Sequence, residues 1–163
     1  MNVRTDAACP VIGLAHVTIK VADLPATIAF YGKVLGLAQV PRPPFDFPGA
    51  WLGTPDGDAL VHLIAGERAR NDDGAIVKGS AAIDHVSFWA RGFETQRARF
   101  ETFGLPYRSQ PVPASDLLQL FVYDPNGVLI ELTYRLPDEP GAVVGQRGGA
   151  LRFEPGLYAR FRA

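Results

Sequence analysis

The sequence predicts an α+β fold in which two βαβββ modules form a curved mixed β-sheet. Two observations predict it. The order strand, helix, three strands can be read twice along the 163 residues, once in 11–66 and once in 81–135. Every histidine, together with one glutamate, also falls on a common repeat: His16 to His85 and His62 to Glu131 are each 69 residues apart (85 − 16 and 131 − 62). A chain of this length is one ordinary domain or two small modules sharing a core. With 47% hydrophobic and 20% charged residues it can bury such a core.

Residues 11–21 predict the first strand, with Ala15, Val17, Ile19 and Val21 on an apolar face and His16, Thr18 and Lys20 on the other. Asp23-Leu24-Pro25 starts a helix, aspartate as N-cap and proline in the first turn. Leu24, Ile28, Tyr31 and Leu35 follow at helical spacing, and Gly36 ends it. A short strand at 37–40 runs into Pro41-Arg42-Pro43-Pro44, a rim loop that carries Phe45 and Phe47. Residues 50–54 and 58–65 form a hairpin about Pro55-Asp56-Gly57, with His62 in the second arm.

The polar, glycine-containing stretch 67–80 is the expected linker. The order then repeats: a strand at 82–90 with His85, Ser87 and Trp89 on one face, a helix at 93–103 stopped by Gly104, a short strand at 106–112, and a hairpin of 117–123 with 128–134. Its turn, Asp124-Pro125-Asn126-Gly127, has residues that tolerate positive φ. In the last strand Leu129, Glu131 and Thr133 share a face, and Glu131 stands among aliphatics. An ionised carboxylate in such surroundings calls for a cation. Residues 136–163 have no counterpart in the repeat. Their glycines and prolines predict a partly ordered tail, or, through their aromatics, one packed on a partner subunit or over the cavity.

The totals restrict function. A net charge of −1 offers no electrostatic footprint for nucleic acid or an anionic membrane. No apolar run approaches a membrane span, Met1 to Pro10 lacks a signal-peptide core, and the lone Cys9 suits a reducing compartment, so a cytoplasmic protein is expected. If the two halves pack side by side, His16, His62, His85 and Glu131 converge inside the sheet. Imidazoles and a carboxylate without thiolate suit a divalent Fe, Mn, Ni, Co or Zn ion. Trp51, Trp89, Phe121 and Tyr123 could make the pocket wall aromatic, and Arg42 or Arg108 could meet an anionic group.

The stretches His16 to Leu24, Phe30-Tyr31 through Leu37, Ile83 to Val86, and Asp124-Pro125-Asn126-Gly127 to Leu132 resemble the vicinal oxygen chelate superfamily. That superfamily includes glyoxalase I, bleomycin-resistance proteins and extradiol dioxygenases. The resemblance spans about residues 11–135 and implies that His16, His85 and Glu131 are metal ligands, with Fe²⁺ favoured and Ni²⁺, Zn²⁺, Mn²⁺ or Co²⁺ as alternatives. Position 62 discriminates within it. Glyoxalase I has a glutamate there, whereas extradiol dioxygenases have an acid–base histidine, and His62 tilts the expectation towards a ring-cleaving dioxygenase. The tyrosine that those enzymes carry four residues before the turn proline is Phe121 here, and Tyr123 is the nearby phenol and candidate catalytic residue. The alternatives are a glyoxalase-like lyase or isomerase with His62 as fourth ligand, and a metal-free drug-sequestering protein. The resemblance also implies a small chelating substrate and a homodimer.

Overall fold

The computed structural model describes residues 14–161 apart from 77, 144, 146, 147 and 149. The expected start of the first strand at 11–13, and Cys9, lie outside the described residues. Two four-stranded mixed sheets carry the fold. The first has β1 (Val17–Lys20), β2 (Ala38–Val40), β3 (Gly49–Gly53) and β4 (Ala59–Ile64) in the order β1-β4-β3-β2. The second has β5 (Val86–Trp89), β6 (Arg108–Pro111), β7 (Leu117–Tyr123) and β8 (Leu129–Arg135) in the order β5-β8-β7-β6. In each sheet the first strand runs parallel to the last, and the other pairs are antiparallel. This is the βαβββ module twice over. Hydrogen bonding joins the strands within each sheet and leaves the two sheets as separate ladders.

Alternation along the strands sends one set of side chains to a core. Ile19, Leu52, Val61 and Leu63 are buried from the first sheet, and Leu118, Leu120, Val122, Ile130, Leu132 and Tyr134 from the second. Helix α1 (Leu24–Phe30) begins as the sequence predicts, with the Asp23 carboxylate accepting from the Ala26 N–H at 3.0 Å. It widens into a π-helical turn over Tyr31–Leu35, and Gly36 closes it in the left-handed region at φ 77°. Its fully buried residues are Ala26, Thr27, Phe30, Tyr31 and Val34, a broader surface than the predicted Leu24–Ile28–Tyr31–Leu35 stripe. The reason is tertiary. α1 packs on β3 on one side and on a C-terminal 3₁₀ segment, Pro155–Phe161, on another.

Strand β5 begins at Val86, later than predicted, because Ala81 takes a positive φ and the Ser80 hydroxyl turns back to the Ile83 carbonyl. Helix α2 (Phe93–Thr102) has Gly92 where a capping side chain would stand. The tail supplies the cap instead, with the Glu139 carboxylate accepting from the N–H groups of Gly92 at 2.9 Å and Phe93 at 2.8 Å. The rest of the tail packs on its own chain. The Phe30 ring meets Tyr158 at 5.7 Å and Phe161 at 5.6 Å, and the Tyr158 hydroxyl donates to the Tyr123 carbonyl at 2.5 Å.

The two modules are tied together at the second hairpin turn. Buried Asp124 accepts from the backbone N–H of Asn126 and of Val128, both at 2.8 Å, and from the Tyr31 hydroxyl of the first module at 3.2 Å. Asn126 reaches the Thr27 hydroxyl at 3.2 Å. Burial raises the pKa of the Asp124 carboxyl, against the lowering effect of its hydrogen bonds, and raises that of the Tyr31 phenol well above its usual range. Gly127 sits at φ 82°, where a side chain would be strained by the backbone and crowded by the Phe153 ring and the Gly79 backbone.

Candidate metal centre

Strand pairing aligns the candidate residues in two equivalent rows on the faces turned away from the aliphatic core. Across the first sheet the row is Thr18, His62, Trp51, Val40. Across the second it is Ser87, Glu131, Phe121, Arg108. His16 and His85 stand immediately before β1 and β5, two residues from Thr18 and Ser87 and on the same faces. The 69-residue spacing is thus a structural equivalence: His62 and Glu131 occupy the same place on the last strand of their modules.

In the first module the imidazoles stack. His62 lies flat on Trp51, centroids 4.1 Å apart and planes within 6°, and its other face meets His16 at 3.8 Å. Burial lowers the His62 pKa, and the neighbouring His16 lowers it further, so the ring is held neutral near pH 7. A neutral imidazole has a lone pair free for a metal ion or a proton.

In the second module the contacts are hydrogen bonds. Glu131 is buried, 5% exposed, and its Oε1 accepts from the Ser87 hydroxyl at 2.7 Å and the Thr133 hydroxyl at 2.6 Å. Its Oε2 is left facing His85 Nε2 at 3.1 Å. The other nitrogen of His85, Nδ1, lies 2.7 Å from the Asp84 carboxylate. If Nδ1 donates its hydrogen to Asp84, then Nε2 and Oε2 are two acceptors facing each other, a contact that only a proton or a metal cation can bridge. The spacing also suits an ion: two ligand atoms bound at right angles at roughly 2.1 Å stand about 3 Å apart. Nitrogen and oxygen donors of this kind fit a divalent cation of borderline hardness.

The four candidate ligands form two pairs, His16 with His62 and His85 with Glu131. Among the described residues of one chain no three His, Cys, Asp or Glu side chains gather closely enough to hold an ion. The cause lies in the topology, since each sheet keeps its own pair. Of the predicted wall residues, Trp51 lies against His62, and Phe121 meets His85 edge-on at 5.8 Å. Trp89 is 66% exposed beneath the Arg135 guanidinium, at the rim of a cavity of about 520 Å³ that His16 and Ser87 also line. Tyr123 packs on Phe153 of the tail, and its hydroxyl has no hydrogen-bond partner among the described residues. Sequence reasoning placed Ser87 and Thr133 on the correct faces but gave them no role. Their two-residue offsets from His85 and Glu131 were the available signal.

The fold and site together define a two-module α+β protein with imidazole and carboxylate groups at equivalent strand positions. The profile of the Glyoxalase/Bleomycin resistance protein/Dioxygenase superfamily matches residues 13–132, and the chain belongs to that superfamily. An Arabidopsis thaliana protein named Glyoxylase I 4 is 29% identical over 139 residues, covering 79% of this chain and 75% of the relative. The glyoxylase/bleomycin resistance protein/dioxygenase domain from Frankia sp. EAN1pec superposes with a TM-score of 0.61 at 20% identity, over 81% of this chain and 96% of that one. Lactoylglutathione lyase from Agrobacterium tumefaciens superposes with a TM-score of 0.58 at 22% identity, over 77% and 96% of the two chains. At those identities the two solved structures share the fold alone. No helix among the described residues is long and apolar enough to cross a membrane.

Proposed function

We propose that the chain is a divalent-metal enzyme of the lyase or isomerase type, acting on a small substrate with two neighbouring oxygens. The observation that carries this reading is the facing of His85 Nε2 and Glu131 Oε2 at 3.1 Å, with the remaining atoms of both groups already engaged by Asp84, Ser87 and Thr133. In this reading His16, His85 and Glu131 would hold the ion with His62 beside it, and the two pairs are brought together by a second copy of the chain. A bound divalent ion supplies Lewis-acid polarisation of the substrate oxygens. With Oε1 anchored by two hydroxyls, Oε2 is the Glu131 oxygen left to face the ion. The neutral His62, with its lone pair free, would take the proton from the substrate carbon beside the carbonyl and return it.

A second reading, a ring-cleaving dioxygenase on Fe²⁺, is favoured by the imidazole at position 62. The likeness to Glyoxylase I 4 supports the first. Metal analysis after anaerobic purification, followed by assays with the hemithioacetal of methylglyoxal and glutathione and with catechols, separates them. Nickel or zinc with formation of the S-lactoylglutathione thioester supports the first reading. Iron with oxygen uptake and ring-cleavage colour overturns it in favour of the second, and ligand binding without any metal overturns both.

The dimeric assembly has its own test. A His16→Ala/His62→Ala protein and a His85→Ala/Glu131→Ala protein are each expected to be inactive. Mixed and allowed to exchange subunits, they should recover about a quarter of wild-type activity, because half the dimers are mixed and each holds one intact site. No recovery despite demonstrated exchange would show that the site is not shared between chains.

A further inference from the structure

The tail has no counterpart in the repeat, and its last segment, Pro155–Phe161, lies against both modules. It buries two rings, Tyr158 and Phe161. On the first module both rings meet Phe30, the last residue of α1, with centroids 5.7 Å and 5.6 Å away. On the second, Phe161 meets Phe103 at 5.6 Å, the Arg160 guanidinium donates to the Phe103 carbonyl, and the Tyr158 hydroxyl donates to the Tyr123 carbonyl at 2.5 Å. Phe153 extends the cluster, 5.9 Å from both Tyr123 and Tyr158. Direct hydrogen bonds between the modules are made at the Asp124 turn and where the Gln96 amide donates to the Val34 carbonyl at 2.8 Å. Ring-to-ring contact between the modules, among the described residues, runs through the tail.

We infer that Pro155–Phe161 is a detachable clasp that fixes the angle between the two modules of one chain, and thereby sets whether metal sites shared between two copies can close. The inference rests on the shared-site reading proposed above. In that reading each chain gives His16 with His62 to one site and His85 with Glu131 to the other. Both sites of a two-fold dimer close together only if the angle between these pairs is the same fixed one in each chain. Interlocked aromatic rings hold such an angle, because close-packed side chains resist sliding. Detachment follows from how the segment is held. It is a short 3₁₀ turn near the chain end, belongs to no strand ladder, and is joined to the modules through side chains.

The test uses full-length protein in which Tyr158→Ala/Phe161→Ala removes both rings. Spin labels on Asp56→Cys in the first module and Thr102→Cys in the second, both exposed positions, report the angle by pulsed dipolar electron paramagnetic resonance. Labelled chains are diluted into unlabelled ones, and Cys9 is replaced by serine. Zinc affinity, by competition with a chelator, reports the site. The double variant is expected to broaden the label distance and to weaken zinc binding roughly ten- to a hundredfold, the range of coupling between distant sites. An excess of a peptide with the sequence 151–163 should restore both readings by refilling the emptied cleft, which it would not do for a general loss of stability. If the double variant does not fold, Phe161→Leu is read by the same two measurements, with smaller changes expected in the same directions. An unchanged label distance overturns the clasp. A broadened distance with unchanged zinc affinity overturns its link to the metal sites. Wild-type protein that takes up no zinc overturns the metal reading, and the label distances alone then decide the clasp.

Discussion

Across the first sheet the central row is Thr18, His62, Trp51 and Val40; across the second, strand for strand, it is Ser87, Glu131, Phe121 and Arg108. The backbones are equivalent and the environments are not. His62 is clamped between two rings that offer it no charge partner, and burial keeps it neutral. Glu131 lies deeper and is wrapped by two hydroxyls and an imidazole, which supply what an ionised carboxylate requires. The hairpin turns differ in the same way. Residues 54–57 are exposed, whereas Asp124, Asn126 and Gly127 are buried against α1 and the tail. A structural repeat thus determines where a side chain stands, and its neighbours determine its protonation and what it can bind.

The largest effect should come from breaking the second row. Glu131→Gln keeps the size of the side chain and removes its charge. Both metal content and kcat/KM should fall, the latter by about 10²- to 10⁴-fold. His62→Ala sharpens the comparison: turnover lost with metal retained assigns it acid–base work, and metal lost makes it a ligand.

The turns should differ by most of what a single side chain can contribute to stability. Asp124→Ala leaves several buried donors without an acceptor and should cost about 3 kcal/mol in denaturant unfolding. Asp56→Ala, at the exposed turn, should stay within about 0.5 kcal/mol of wild type. Equal losses at the two turns would contradict the asymmetry described above.

A smaller effect is expected from the hydroxyls that orient Glu131. The double substitution Ser87→Ala/Thr133→Val should lower metal affinity or turnover by about 10- to 100-fold, measured by competition with a chelator and by steady-state kinetics.

The smallest is a titration. The His62 pKa is lowered first by burial and then by His16, so Trp51→Leu and His16→Ala should each move it upward in an NMR titration of the metal-free protein. A group depressed in the folded state contributes stability that is complete above its unfolded pKa and is lost as pH falls. Stability from this site should therefore decline as pH drops below about 6.5, and less steeply in those two variants.

The placement of the candidate site residues was legible because it depends on period and spacing. Alternation put His16, His85 and Glu131 on the faces away from the aliphatic core, and the 69-residue offset paired His62 with Glu131 before any strand register was known. Other features depend on contacts across more than forty residues and leave no local signal. Glu139 caps a helix 46 residues earlier, and Tyr31 is held by Asp124, 93 residues later. The two buried sides of α1 were missed for that reason, since a single apolar stripe was assumed for a helix that the tail also covers.

By itself the sequence determined the double βαβββ architecture and which four side chains share its equivalent positions, because both follow from residue periodicities that local backbone geometry imposes. Only the tertiary structure decided that these four divide into two pairs, that hydroxyls hold one oxygen of Glu131, and that the Arg108 guanidinium lies over Phe121. Those outcomes depend on how separate sheets and the tail pack together, and such packing is set by contacts between residues that no local pattern connects.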